Sequence, residues 1–524
     1  MGVVPSTLAA RSVDHDSGDR YATATSDPLE TEKLLRDTAD TLVKYLTSSN
    51  DVSAPVVKLS SPDSMASEFA AVGVPLELRD GEGPASGPEL LTALETTLDL
   101  CVRTSHPFFL NQLYAGADRA GVAADWAVVA ANTNVHTYEV APVFTMVEQK
   151  VLQKLARVIG GRFQAASDGL FVPGGSIANT YAMHLARHRA DSKANTRGMM
   201  GGPQLVAFTS EHAHYSYKKA AMLMGLGSDN LVAVACDAAG AMKPDALRSA
   251  MQKARVSGKI PFFVGATAGT TVTGAFDPFE ALANEAEAEH AWLHVDGAWG
   301  GAALLSPTAR IELMGGSARA DSVAWNAHKL MGMPLQCSAF ITAHLGALKE
   351  CNATRAACLF QPDKLYGEYD MGDKTIQCGR RADAFKLWLA WKAVGDAGWA
   401  KRVDHAIKLA AHFESRIAGS EGAFRLAMPR NYANVCFWYV PPALHGSGDP
   451  AAYSAEDWEV LHAAAPALKA VMQKEGLAMI GFQPLMGLPN FFRIVFPSCF
   501  GTSIADIDLL LERIQVIGDA HYAN

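Results

Sequence analysis

No stretch of this chain approaches the roughly 18 uninterrupted apolar residues that a membrane-spanning helix needs, so none is expected. Positive charge is in short supply too. Lysine and arginine total 45 against 54 acidic residues, a net charge of -9 and a pI near 6.0, and no basic stripe marks any segment. That balance argues against a nucleic-acid partner. The eight cysteines (Cys101, Cys236, Cys337, Cys351, Cys358, Cys378, Cys436, Cys499) are scattered, with no CxxC and no metal-ligand spacing. This excludes a disulfide scaffold or zinc ribbon and suits reduced thiols in the cytoplasm. The N-terminus lacks a secretory h-region. Gly2 and Ser6 fit the loose myristoylation pattern, with Pro5 against it. No internal repeat is visible.

What is present is apolar bulk. The chain has 524 residues, 49% hydrophobic and 19% charged, enough for a large core and more than one domain. Residues 1–27 are rich in Ser, Thr, Asp and Gly and read as disordered. Residues 28–155 carry helical spacing at 28–47, near 65–72, at 88–104 and through 121–160, interrupted near 132–139. From Gly169 the pattern becomes strand, Gly-rich turn, helix, repeated. Strands are predicted at 170–172, 205–208, 231–234 and 262–266, each followed by a helix, and at 292–295, ending on Asp296. Such alternation means a mostly parallel sheet covered on both faces. After about Lys392 the texture is α+β, with helices at 399–418, near 466–475 and 503–518 and strands at 435–440 and 492–495. The expected division is therefore an N-terminal helical segment 28–155, a large domain 156–392 and a small domain 393–524.

Reactive side chains gather at predicted strand ends, where open α/β sheets bind ligands. Lys329 closes the run Trp325-Asn326-Ala327-His328-Lys329 among small and apolar residues. Partial burial there lowers an amine's pKa and makes it a nucleophile towards a carbonyl, although a lysine can also lay its stem over apolar surface. Gly174-Gly175-Ser176 lies between a strand and a helix and can cradle an anion, or be an ordinary turn. Asp296 ends an apolar strand, where a carboxylate needs a partner such as a pyridinium N–H, or caps a helix. His214 follows a strand and can stack on a planar ring, or sit in solvent. One cofactor uses all four: pyridoxal 5'-phosphate.

With these residues in order, the chain resembles the group II pyridoxal-phosphate-dependent amino-acid decarboxylases, in the branch of glutamate, cysteine sulfinate and aspartate 1-decarboxylases. The likeness runs from about residue 110 to 500. It rests on Asn111-Gln112-Leu113, Thr137-Tyr138-Glu139-Val140-Ala141-Pro142, Pro173-Gly174-Gly175-Ser176-Ile177, Ala266-Thr267-Ala268-Gly269-Thr270-Thr271, His294-Val295-Asp296-Gly297-Ala298-Trp299, Asn326-Ala327-His328-Lys329, Gln377-Cys378-Gly379-Arg380 and Asn490-Phe491-Phe492-Arg493. The resemblance implies an aspartate-aminotransferase-like fold (fold type I) and a homodimer with intertwined N-terminal helices and the site at the interface. It also implies roles. Lys329 would join the cofactor as an imine, Asp296 hold the ring nitrogen and His214 stack on the ring. Ser176 and the Ile177 backbone would bind phosphate, near Asn326 and His328. Thr271 and Ala298 would line the cofactor. Arg493 would bind the substrate's α-carboxylate, with Gln112 near its distal acid group.

Some positions depart from the family pattern. Cys358 stands where the family has a loop tyrosine that helps protonate Cα. Cys358, His214 or Tyr366 would then supply that proton; failing that, decarboxylation would turn into side transamination or into oxidative deamination to an aldehyde. Substrate sorting is expected near residues 134 and 136. Asn134 matches the glutamate branch, whereas His136 replaces a usual aromatic and suits a sulfinate, a sulfonate or a shorter acid. Ala327 and Gly297 replace a common proline and alanine. The readings that stand are a decarboxylase for an acidic amino acid, an oxygen-using aldehyde synthase, and a non-catalytic binding protein. Intact Lys329, Asp296 and Arg493 argue against the last.

Overall fold

The structure is a computed structural model. It describes residues 28–78, 80–81, 83–354, 356, 363–445, 453–497 and 501–523. The stretch 1–27 with Gly2 and Ser6, and the segment carrying Cys358, lie outside the described residues.

Backbone contacts divide the chain into two units, one of residues up to Ser49 with Val57–Val102, the other of Asn50–Val56 with everything from Arg103 onward. The first unit holds helices Pro28–Ser48, Pro62–Ala71 and Gly87–Leu100. Its helix starts are written locally. Ser61 caps the second helix ahead of Pro62, and Ser86 forms a reciprocal capping box with Glu89 on the third. None of the side chains of helix Gly87–Leu100 is fully buried.

Among its described residues the second unit contains eleven strands: β1 (Asp168–Val172), β2 (Leu205–Ser210), β3 (Leu231–Val234), β4 (Ile260–Thr267), β5 (Trp292–Gly297), β6 (Ser322–Asn326), β7 (Ser338–Thr342), β8 (Phe424–Leu426), β9 (Asn434–Tyr439), β10 (Gly481–Leu485) and β11 (Leu488–Val495). Seven make one sheet in the order β1-β7-β6-β5-β4-β2-β3. Strand β7 runs antiparallel to both its neighbours and the other pairings are parallel, so β1 to β6 all point the same way. Strands β1, β2, β5, β6 and β7 are buried along their whole length, the condition that favours continuous apolar runs over alternation. The remaining four form an antiparallel sheet, β10-β11-β9-β8.

The expected boundary at 155/156 falls inside helix Pro142–Ile159, whereas that at 392/393 lies just before Gly395, whose φ of 68 breaks the helical stretch Asp383–Ala418. Helix Asp383–Ala418 packs against helices Arg119–Ala131 and Pro142–Ile159 and also against β8 and β9. One continuous core therefore runs through both sheets, and contacts do not separate a small C-terminal unit.

Candidate active site

Because β1 to β6 share one direction, their carboxyl ends meet along one edge, and the loops that leave them enclose a cavity of about 210 Å3. Its walls carry Gly175 and Ser176 after β1, His214 and Tyr215 after β2, Thr267 and Thr271 from β4 and its loop, Asp296 and Ala298 from β5, and Asn326, His328 and Lys329 from β6. Lys329 is partly exposed on this wall. Burial holds its amine below the ordinary lysine value, while the charge of Asp296 opposes that shift.

Asp296 is buried and doubly held. Its Oδ2 accepts from Asn179 Nδ2 at 2.7 Å and its Oδ1 from the Ala298 N–H at 3.0 Å. Asn179 is held in turn, its Oδ1 3.0 Å from His294 Nε2, whose Nδ1 lies 2.8 Å from Ser322 Oγ; that hydroxyl also accepts from Trp292 Nε1 at 2.8 Å. Burial pushes His294 down to about 4, so it is neutral near pH 7. A neutral ring that accepts from Ser322 donates through Nε2 to Asn179. This fixes the amide with its NH2 towards Asp296.

His214 sits at the cavity with its Nδ1 accepting from the Ser216 N–H at 3.2 Å. Burial lowers its pKa, with Asp296 opposing and Lys329 assisting. Its ring centroid lies 4.2 Å from that of Tyr215. Asn434, on β9, donates to the Val272 carbonyl at 3.0 Å and accepts from Trp299 Nε1 at 2.8 Å, which pins the loop carrying Thr271 to the smaller sheet. On β11, Arg493 is buried and donates to the carbonyls of Thr271, at 3.0 Å, and Asn111. Its Nε is buried without a partner, and burial lowers its pKa, although a guanidinium stays charged.

Residues 76–440 match the pyridoxal-dependent decarboxylase conserved domain. Among solved structures, mouse CSAD (cysteine sulfinic acid decarboxylase) is 40% identical, with 94% of this chain and 99% of that one covered at a TM-score of 0.88. The chain belongs to the pyridoxal-dependent decarboxylase family. Two plant enzymes share its fold at lower identity. Oryza sativa TDC, solved with PLP and tryptamine, is 23% identical over 95% of this chain and 99% of its own, TM-score 0.83. Rhodiola rosea 4-hydroxyphenylacetaldehyde synthase is 24% identical over 94% and 98%, TM-score 0.77. At that distance the synthase speaks for the fold alone. The enzyme is a carboxy-lyase acting on an amino acid with pyridoxal phosphate as cofactor.

The cavity fits that cofactor. Asn326 Oδ1 and Thr267 Oγ1 are buried without hydrogen-bond partners on its wall, and such atoms ask for a ligand or water. A Cβ on Gly175 would come within 2.9 Å of Asn326 Nδ2 and 3.2 Å of Ala298 Cβ, so only glycine leaves the turn open. The N-terminus of helix Gly175–Ala190 and the Ser176 hydroxyl offer phosphate donors there.

Of the residues singled out in the sequence, this decarboxylase brings Ser176, His214, Thr271, Asp296, Ala298, Asn326, His328 and Lys329 to one cavity. Ile177 does not line it; its N–H bonds the Gly174 carbonyl at 3.1 Å. Arg493 reaches it through Thr271. Three residues stand elsewhere in the chain. Gln112 is exposed, Asn134 accepts from the Arg380 N–H at 2.8 Å, and the buried His136 accepts through its carbonyl from the N–H groups of Met371 and Gly372. Cys358 lies outside the described residues. Asn179 and His294 escaped sequence reasoning, yet their spacing held the signal. Asn179 is one helical turn from Ser176, and His294 shares a strand face with Asp296.

Proposed function

We propose that this enzyme removes the α-carboxylate of a short acidic amino acid, in the class of cysteine sulfinate, cysteate, aspartate and glutamate, and works as a cytoplasmic homodimer. The observation that carries the amino-acid reading is Arg493, a buried guanidinium that donates to the backbone carbonyls of Thr271 and Asn111 and leaves its Nε unsatisfied. A buried cation in that state calls for a carboxylate, and the arginine fork accepts one in bidentate geometry. The 40% identity to mouse CSAD supports an acidic side chain.

Pyridoxal phosphate, when bound, supplies an aldehyde to join an amine and a ring that draws in the electron pair of the breaking Cα–carboxylate bond. The chain's residues do the rest. Lys329 gives an amine kept nucleophilic by burial. Asp296, oriented by Asn179 and Ala298, holds a proton at the ring nitrogen. His214 would pack over the ring, and Ser176 with the helix N-terminus would hold the phosphate. Arg493 orients the substrate through its α-carboxylate. The proton returned to Cα would come from His214, Tyr366 or Cys358.

The dimer reading has two supports. The residues assigned to substrate sorting, Gln112, Asn134 and His136, stay off this chain's own cavity wall. Within the N-terminal unit, Leu35 is 66% and Leu78 97% exposed, a poor fate for leucines that nothing else covers. The absence of any paired thiol among the described cysteines suits a reducing compartment.

The deciding experiment incubates the purified holoenzyme with the four acids and measures CO2, amine, aldehyde and hydrogen peroxide. Amine and CO2 from at least one acid are expected. No CO2 from any would overturn the substrate class, and aldehyde with peroxide would replace plain decarboxylation by oxidative deamination. Arg493→Lys keeps the charge and loses the fork, so KM for the best acid should rise about 10- to 100-fold. For the shared site, mixing the inactive variants Lys329→Ala and His136→Ala should restore part of the activity through mixed dimers; no recovery would place each site within one chain.

A further inference from the structure

Outside the cofactor cavity, the carboxyl ends of β2 and β3 bring together three residues that the reaction does not use: Glu211, His212 and Cys236. One ligand atom from each, a carboxylate oxygen, an imidazole nitrogen and the thiol sulfur, lies within 4.8 Å of the others. Backbone bonds hold the frame. The Glu211 N–H donates to the Val234 carbonyl at 3.0 Å, the Cys236 N–H to Glu211 Oε1 at 2.8 Å, and the Lys243 N–H to the Ala235 carbonyl at 3.0 Å. Cys236 also forms an isolated antiparallel bridge with Met242.

A second observation points to a ligand. His212 Nε2 is buried and has no hydrogen-bond partner, a state that native side chains rarely keep without a reason. We propose that Glu211, His212 and Cys236 form a site for a divalent thiophilic cation, with Zn2+ as its best match. Carboxylate, imidazole and thiolate are its usual ligands, and tetrahedral bonds of about 2.0–2.3 Å place ligand atoms roughly 3.3–3.7 Å apart. Closing from the separation found here needs about 1 Å of side-chain movement, which falls to Glu211, the exposed member, whose second carboxylate oxygen can face the ion while Oε1 keeps the Cys236 N–H. Three protein ligands leave the fourth position to water. Cys236 binds as the thiolate, so one proton leaves with each cation taken up. The cation ties the loop Glu211-His212-Ala213-His214-Tyr215 to the end of β3. Because His214 lines the cofactor cavity two residues further on, the bound ion braces that wall. No spacing in the sequence announces this set, since Cys236 stands 24 residues after His212, at the end of the neighbouring strand.

The test titrates the holoenzyme, stripped of metals by chelator, with Co2+ and then Zn2+. One equivalent of Co2+ per chain should give a near-ultraviolet thiolate-to-cobalt band that Zn2+ removes, and Zn2+ should raise the melting temperature by a few degrees. Cys236→Ser and His212→Ala should each abolish the band while keeping the visible absorbance of the bound cofactor, which reports an intact fold. Glu211→Gln should weaken Co2+ binding about 10-fold or more. No band in the wild-type enzyme, or a band that survives in Cys236→Ser, would overturn the site.

Discussion

At the scale of single residues, the unusual feature is how far the support for Asp296 extends. A buried carboxylate needs donors, and two are provided. One of them, Asn179, is itself oriented by His294, Ser322 and Trp292. Asn179 is a positioning residue, because its effect on a ring nitrogen passes through Asp296. Replacing it with leucine keeps the bulk and removes the donor. A hydrogen bond to a charged group contributes about 1.5–3 kcal/mol, so kcat should fall about 10- to 100-fold. A merely structural loss would not move the pH at which the absorbance of the bound cofactor changes, whereas this loss should, and a spectral titration of Asn179→Leu reads it. Lys329→Ala should abolish the imine absorbance altogether. The reactive set was legible in the sequence because each member ends a strand and has a chemistry that strand ends use. Asn179 and His294 were not read, because amides and histidines at such positions are commonplace until Asp296 is placed beside them.

At the scale of elements, what joins loop, helix and sheet is the pair Arg380 and Glu148, both almost wholly buried. Arg380 Nη2 bonds Glu148 Oε1 and the Phe171 carbonyl, while its Nη1 donates to the Val135 carbonyl at 2.6 Å. Glu148 Oε1 also accepts from the Phe171 N–H at 2.8 Å. Removing one partner leaves a charge stranded in the core. Glu148→Ala should therefore cost about 3–5 kcal/mol, and the pair Glu148→Leu with Arg380→Met should recover most of it. Urea unfolding of the three proteins decides this, and equal losses in single and double variants would refute the assignment. Elements were legible where a local signal exists. The five predicted strands of the large sheet all form, as does the helix that Pro142 opens. The helix expected from Trp399 to Ala418 forms, entered just after Gly395, whose φ of 68 breaks the stretch Asp383–Ala418 in two. Ala455–Lys474 was read from Pro466, a proline that looked like a first-turn residue but lies inside the helix. Strand β7 went unread because nothing in five residues tells that the chain will reverse beside β1 and β6.

At the scale of the whole molecule, buried histidines govern how the fold meets acid. Burial pushes His184, His294 and His328 each down to about 4 from an ordinary value of 6.5. Between those values the unfolded chain binds three protons that the folded chain refuses. Stability must then fall as pH drops from about 6.5 to 4, and level off below, where both states are protonated. Asp277 opposes this. Burial raises it to about 6, so the folded chain binds its proton first. Three imidazoles against one carboxyl leave about two protons net between pH 6 and 4, roughly 2.7 kcal/mol per pH unit. His106 and His136, also lowered by burial, add to the loss, and the raised Asp383 subtracts from it. The measurement is urea unfolding at a series of pH values on cofactor-free protein, so that release of the cofactor does not add to the slope. His184, packed near Asn352 and Arg187 away from the cavity, gives the control. His184→Gln removes one of the refused protons and should cut the slope to about half. A wild-type stability that holds flat or rises from pH 6.5 to 4 would mean that these imidazoles open to solvent before they titrate.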